Sequence, residues 1–264
     1  MQHRSLASNL GIYAFAAGAI FLGVLGLVSG DFATSWQNVG PNIPLREPLA
    51  YLTAILELAA GSALLWPRTA RAGALTLTIL YSVFTLIWVP KALVNLGNYD
   101  PIGNVFEELS LAAAGLVLLG KFSPAGSFFA RRQSFFVLLF GVCPISFGIV
   151  HIIDMPGLLG MIPGWLPPTK MFWAYVTTLG FFGSAVAILT GVMAPLAARL
   201  LTMEIMIFEL VVWIPNLFGG LNSHFNWAAN AICTAIAGAS WVISDSISEA
   251  TKTKPIPAKD GVSV

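Results

Sequence analysis

The sequence predicts an all-α integral membrane protein, with eight transmembrane helices arranged as two tandem, parallel four-helix units. Three observations predict it. Of the 264 residues, 57% are hydrophobic and only 9% charged, against roughly 25% charged in a soluble domain, and mean hydropathy is +0.82. A water-soluble fold of this size has no interior large enough for that much apolar surface. Eight apolar runs recur along the chain, each close to the roughly 20 residues that cross a bilayer as a helix. The first half of the chain also echoes the second at a nearly constant offset.

The eight runs are 11–28, 48–66, 72–93, 105–120, 134–153, 171–190, 195–218 and 227–244. The opening "MQHRSLASNLG" leads into the first run without an A-x-A cleavage site, so it reads as an uncleaved first span. The polar stretch 249–264, with two Pro and three Lys, reads as a disordered tail. With eight spans, one side holds Arg4, Arg68, Arg71, Lys121, Arg131, Arg132, Arg199, Lys252, Lys254 and Lys259. The other holds only Arg46, Lys91 and Lys170. The positive-inside rule places the first side, and both termini, in the cytoplasm of a cell bounded by this plasma (inner) membrane. The longer loops, 29–47, 94–104, 154–170 and 219–226, fall outside.

The repeat sets the domain organisation. "AYLT" at Ala50–Thr53 answers "AYVT" at Ala174–Thr177, an offset of 124 (174 less 50). Pro44 answers Pro168, Trp88–Pro90 answers Trp213–Pro215, Ala114–Gly115 answers Ala237–Gly238, and Gly23 answers Gly148. The units are 1–121 and 134–248, joined by a cytoplasmic linker at 122–133 and followed by the tail at 249–264. An even number of spans gives both units the same orientation, so their symmetry axis is expected along the membrane normal.

The stretch "GWLPPTKMFWAYVTT" leads from an outer loop into the second helix of the second unit. Pro167 and Pro168 suit a helix start. Trp165, Trp173 and Tyr175 suit the headgroup zone, and Lys170 can snorkel to phosphates.

The segment "GIVHIIDMPGLLGMIPGWLPPTKMFWAYVTTLGFFGSAVAIL" resembles the DoxX-like family of small four-helix membrane proteins. A His near the end of helix one, a P-x-W-L-P loop and an aromatic–Ala–Tyr helix start carry the resemblance. The first half looks like a sister version, with "GDFA", the Trp36–Gln37 pair and "PLREPLAYLT". It departs from the pattern at Gly26, which stands near the place of His151. The resemblance implies kinship with quinone-reducing thiosulfate oxidoreductase subunits, with proteins that join membrane redox complexes, and more distantly with assembly or trafficking factors.

Ionisable groups inside a bilayer are costly and are functional candidates by default. Glu57, Glu204 and Glu209 are the intramembrane acids. Glu204 and Glu209 stand about 140° apart around a helix and cannot share a face. They suit a proton relay or a cation or quinone site, or, more plainly, hydrogen bonds between helices. A second group lies at outer helix ends: His151, Asp154, His224, Asn226 and Asn230, near Trp165 and Trp173, with Asp31, Arg46, Glu47, Asp100, Glu107 and Glu108 at the same level in the first unit. Capping of helix ends is their commonest use. For a small-molecule ligand the expected site is His151, Asp154, Trp165, Tyr175 and His224.

Other chemistries find no support in the residues. No H-x-x-x-H or CxxC spacing points to a metal. Only His3, His151 and His224 could ligate a haem. Cys143 and Cys233 fall at different depths, beyond disulfide reach. There is no P-loop, dinucleotide fingerprint or nucleophile elbow, and a net charge of +1 gives no nucleic-acid signature. No span shows a mid-membrane Gly/Pro interruption of the kind that marks broken-helix substrate sites.

The expected function is that of a non-catalytic component or partner-binding subunit of a membrane complex. Its partners would be the lipid bilayer and another membrane protein. A quinone-linked oxidoreductase subunit, with quinone as the one cofactor in view, and a small-molecule or proton-coupled transporter stay open as alternatives.

Overall fold

In a computed structural model of the chain, residues 10–253 are described. The order is α1 (Leu10–Ser29), α2 (Arg46–Leu64), α3 (Ala70–Val94), α4 (Asp100–Phe122), α5 (Phe128–Arg131), α6 (Gln133–Gly141), α7 (Cys143–Ile153), α8 (Met155–Met161), α9 (Lys170–Thr190), α10 (Ala194–Phe208), a π-helical turn (Glu209–Trp213), α11 (Ile214–Gly219) and α12 (His224–Thr253). The described residues contain no strand.

Six helical runs are long and apolar enough to cross a membrane: α1, α3, α4, the α6–α7 run Gln133–Ile153, α9 and α12. The other two expected spans are also helical. The first is α2, whose 19 residues include Arg46, Glu47 and Glu57. The second is divided among α10, the π turn and α11.

Neighbours in sequence pack as neighbours in space: α1 on α2, α2 on α3, α3 on α4, then α6 and α7 on α9, α9 on α10, and α10 on α12. Three further contacts join the halves. The first helix of each half packs on the last helix of the other, α1 on α12 and α4 on α6 and α7, and α4 meets α12 between them.

The α1–α12 seam is the tightest. A Cβ added at Gly11 would lie 2.7 Å from the backbone N of Val242, and one at Gly18 would meet the backbone of Ala235. One at Gly238 would meet the backbone of Phe15. Lipid supplies no hydrophobic drive between helices, so such close backbone approach is the main source of attraction.

Several expectations are corrected. Helix α4 starts at Asp100 rather than at 105, because Pro101 suits the first turn of a helix. Glu107 and Glu108 are therefore two turns inside a helix and not at its end. The fifth expected span stays one 21-residue helical run but lapses from regular pairing for one residue at Val142, ahead of Pro144, which has no N–H to give to the preceding turn. The seventh contains the π turn, which holds neither Gly nor Pro.

The loop 154–170 holds the short helix α8, and the linker 122–133 holds α5. Helix α12 runs to Thr253, five residues into the stretch expected to be a disordered tail. Residues 254–264 and 1–9 lie outside the described residues. Helix α9 begins after Thr169, whose hydroxyl accepts from the N–H of Phe172. Lys170 donates to the carbonyl of Leu159 at 3.0 Å instead of reaching outward.

Candidate functional site

The densest buried polar group lies in the first half. It begins with the segment between α1 and α2. Phe32, Ala33, Trp36, Gln37 and Val39 are all buried, so this loop folds inward as a plug. Arg46 fixes its two ends, pairing with Asp31 at 2.5 Å and donating to the carbonyl of Val39. Lys91 donates to the carbonyl of Asn38 at 2.9 Å, with its ammonium 4.8 Å from the centre of the Trp88 ring. The indole N–H of Trp88 donates to the carbonyl of Trp36 at 2.6 Å.

The plug delivers two donors to acids. Gln37 Nε2 donates to Glu57 Oε1 at 2.5 Å, while Gln37 Oε1 accepts from the N–H of Ala33. Trp36 Nε1 donates to Glu107 Oε2. Glu57 stands near the middle of α2, and Glu107 and Glu108 stand on α4. Glu108 is 1% exposed, and neither of its carboxyl oxygens has a hydrogen-bond partner. The hydroxyl of Tyr81, on α3, is fully enclosed and likewise unpartnered. Glu57, Tyr81, Glu107 and Glu108 are thus carried by α2, α3 and α4, and the plug loop reaches Glu57 and Glu107.

The other acids lie in the second half and do not join each other. Glu204 rests against Gly180 of α9, where an added Cβ would touch its carboxyl. Glu209 opens the π turn and accepts from Thr234 Oγ1 of α12. Cys233, also on α12, is buried and donates its Sγ–H towards the carbonyl of Ile205. Above them Trp36 stacks on Phe225 with centroids 5.6 Å apart, and Phe225 meets Trp213 edge-on.

The outer-end candidates are separate. His151 is buried, its Nδ1 lying 3.4 Å from the hydroxyls of both Thr177 and Thr178, with Phe181 edge-on at 5.1 Å. Each threonine hydroxyl already donates to a carbonyl of its own helix, Trp173 or Ala174. Nδ1–H is therefore the donor to them. Asp154 caps α8 by accepting from the N–H of Gly157. Trp165 is 71% exposed and Tyr175 57% exposed. His224 opens α12, and its Nε2 is enclosed without a partner. No hydrogen bond or ring contact joins any two of these five. Asn226 and Asn230 donate to carbonyls of the α11 region, Asn216 and Trp213.

Among the described residues no three His, Cys, Asp or Glu side chains are placed to share a metal ion. Cys143 and Cys233 are both buried and free. Sequence reasoning missed Gln37 and Tyr81 as buried polar residues and placed Glu107 and Glu108 at a helix end instead of inside. The one linear signal is the adjacent pair Glu107–Glu108 in an apolar run.

No protein-family model, curated protein or solved structure matches this chain.

Proposed function

We propose that the chain is an eight-span, two-unit membrane protein of DoxX-like type, set in the plasma (inner) membrane with both termini in the cytoplasm. We infer further that it exchanges protons with a small substrate through the acid-lined interior of its first half. The observation that carries this is Glu108, enclosed on α4 with both oxygens unbonded, on the helix that also carries Glu107 and packs against α3, which carries the enclosed, unpartnered Tyr81. A carboxyl group buried without a hydrogen-bond partner costs about 1–3 kcal/mol. Such a group is retained where it carries a proton or receives a cation.

Burial supports the repeat. Ala50, Ala54, Ala60, Gly61 and Leu64 of α2 are buried, and so are the residues 124 on in α9: Ala174, Thr178, Ser184, Ala185 and Ile188. Ala70, Ala74, Leu77, Thr78 and Tyr81 of α3 correspond in the same way to Ala194, Ala198, Leu201, Thr202 and Ile205 of α10. Contacts correspond too. Gly26 packs on Ala54 where His151 meets Thr178, and Gly23 packs on Leu58 where Gly148 meets Phe182. The offset grows from 124 to 125 between Ala194 and Trp213, across the π turn. A π turn takes one more residue than an α turn.

The interruption at Val142 and the π turn favour transport over an inert partner-binding role. Broken or π-bulged helices in membrane bundles border binding sites. A quinone-linked subunit is the second reading, favoured by the Trp36–Phe225–Trp213 row beside Glu107.

Proteoliposomes loaded with a pH-sensitive dye test the proposal, with small organic acids, amines and sugars added outside. The wild type is expected to give a substrate-dependent pH change that Glu108→Gln abolishes and Glu47→Gln, at an exposed acid, leaves intact. A wild-type response equal to that of empty vesicles across the panel rejects transport. Reduction of an added quinone analogue by the same vesicles with thiosulfate supplied as electron donor, two thiosulfates giving tetrathionate per quinone reduced, would select the second reading.

A further inference from the structure

The end of the bundle that carries the start of α1 and the end of α12 holds a hollow of about 380 Å³. It lies between the α2–α3 turn, α4 and α5. Arg68 and Arg71 form its mouth, and Ala72, Leu75, Leu119 and Phe129 its wall. Both arginines are exposed. Neither is neutralised, since the ion pairs among the described residues are Arg46–Asp31 and Lys121–Glu249.

Leu75 follows Arg71 by one helical turn, about 6 Å further along α3. The lining of the hollow therefore combines two cationic side chains with apolar ones, Leu75 exposed and Leu119 buried. An aqueous anion would use only the mouth. A molecule with an anionic head and a hydrocarbon chain would use the whole.

We propose that this hollow binds an anionic phospholipid, with its phosphodiester between Arg68 and Arg71 and the start of an acyl chain along Leu75 and Leu119. The planar guanidinium fork matches two phosphate oxygens. Basic pockets at the cytoplasmic ends of membrane helices suit such heads. Helix α5 adds exposed Arg131 and Arg132 nearby, with the Arg132 guanidinium 5.6 Å from the centre of the Phe128 ring. Those two charges enrich anionic lipid around the hollow without lining it. The site rests on the membrane reading and is independent of the acids in the first half.

Purified full-length protein in neutral detergent is titrated with phosphatidylglycerol, with phosphatidylcholine of the same acyl chains, and with inorganic phosphate. Thermal melting and native mass spectrometry report binding. Phosphatidylglycerol is expected to raise the melting temperature and to stay bound, whereas the other two do neither. Arg68→Gln/Arg71→Gln is expected to weaken phosphatidylglycerol by roughly tenfold, and Arg131→Gln/Arg132→Gln by less. Unchanged binding in the first pair overturns the proposal. Protection by phosphate equal to that by phosphatidylglycerol also overturns it, in favour of a free-anion site. If the first pair fails to fold, competition among the three probes on the wild type decides alone. Glu108→Gln is expected to keep phosphatidylglycerol binding, which separates this site from the proposed proton site.

Discussion

The four long helices of the first half run unbroken, from the 19 residues of α2 to the 25 of α3, around enclosed acids. In the second half only α9 and α12 do so. Its other two runs are divided, one at Val142 and one by the π turn. At the positions matching Glu57 and Tyr81 the second half has Phe181 and Ile205. At the position matching Gly26, which packs on Ala54, it has His151 facing two threonines. One half encloses Glu57, Glu107 and Glu108 among long unbroken helices, and the other divides two of its runs and buries His151, Ser184 and Asn230 instead. Interrupted helices offer the give that a moving part requires.

The largest expected effect concerns how each half uses glycine. Gly18→Ala puts a methyl into the backbone of Ala235 on α12, where nothing can step aside. Gly141→Ala meets only the ends of Ile188 and Leu189, at 2.9 and 3.1 Å. Thermal melts in detergent should show Gly18→Ala destabilised by about 3 kcal/mol and Gly141→Ala by less than about 1 kcal/mol. Equal losses would mean that the α1–α12 seam is no tighter than packing within the second half.

The next test is of the polar interior. Glu57→Leu leaves Gln37 Nε2 buried without an acceptor and should cost about 1–3 kcal/mol. The double change Gln37→Leu/Glu57→Leu removes that orphaned amide but leaves the buried N–H of Ala33 without its acceptor, so it should recover only part of the loss. Chemical denaturation of both variants in mixed micelles measures the difference. A loss in the double variant equal to that in Glu57→Leu would show that the Ala33–Gln37 bond matters as much as the Gln37–Glu57 bond.

The smallest effect joins the halves outside the spans. The Tyr99 hydroxyl donates to Ser146 Oγ at 3.0 Å, and burial, partly offset by that bond, holds its pKa above the ordinary value. A phenol with a raised folded-state pKa stabilises the fold below its unfolded pKa of about 10. That contribution is lost as pH rises from there through the folded value. Melting curves of wild type and Tyr99→Phe should therefore converge slightly above pH 10. A gap between them that is constant with pH would assign the bond a purely neutral role.

Much of the helical layout is legible in the residues, because hydropathy over a window of about 20 residues reports a helix in lipid directly. Glu57 stands out for the same reason, as a lone acid in an apolar run. The plug at Trp36 and Gln37 does not stand out. Its residues are ordinary for a loop, and only the arrangement of α2, α3 and α4 makes the space it fills. Glu107 and Glu108 are visible as residues, but their depth depends on where α4 begins. Moving that start from 105 to Asp100 turns surface acids into enclosed ones. The π turn leaves one faint trace, the change of offset between "AYVT" and "WIP". The outer-end group His151, Asp154 and His224 has the chemistry of a site, but each residue faces a different neighbour. Shared level along the membrane normal says nothing about shared azimuth around the bundle.

The glycine seam between α1 and α12 has a consequence for biosynthesis. Helix α1 begins at Leu10 and α12 at His224, so most of the chain is translated between the two partners of the tightest contact. Until α12 emerges, Gly11 and Gly18 face lipid or translocon instead of backbone, and the surface of α4 that meets α12 is bare. The nascent first half therefore waits in the membrane with an open flank. The packing around α1 and α4 is completed only by a helix made near the end of the described chain.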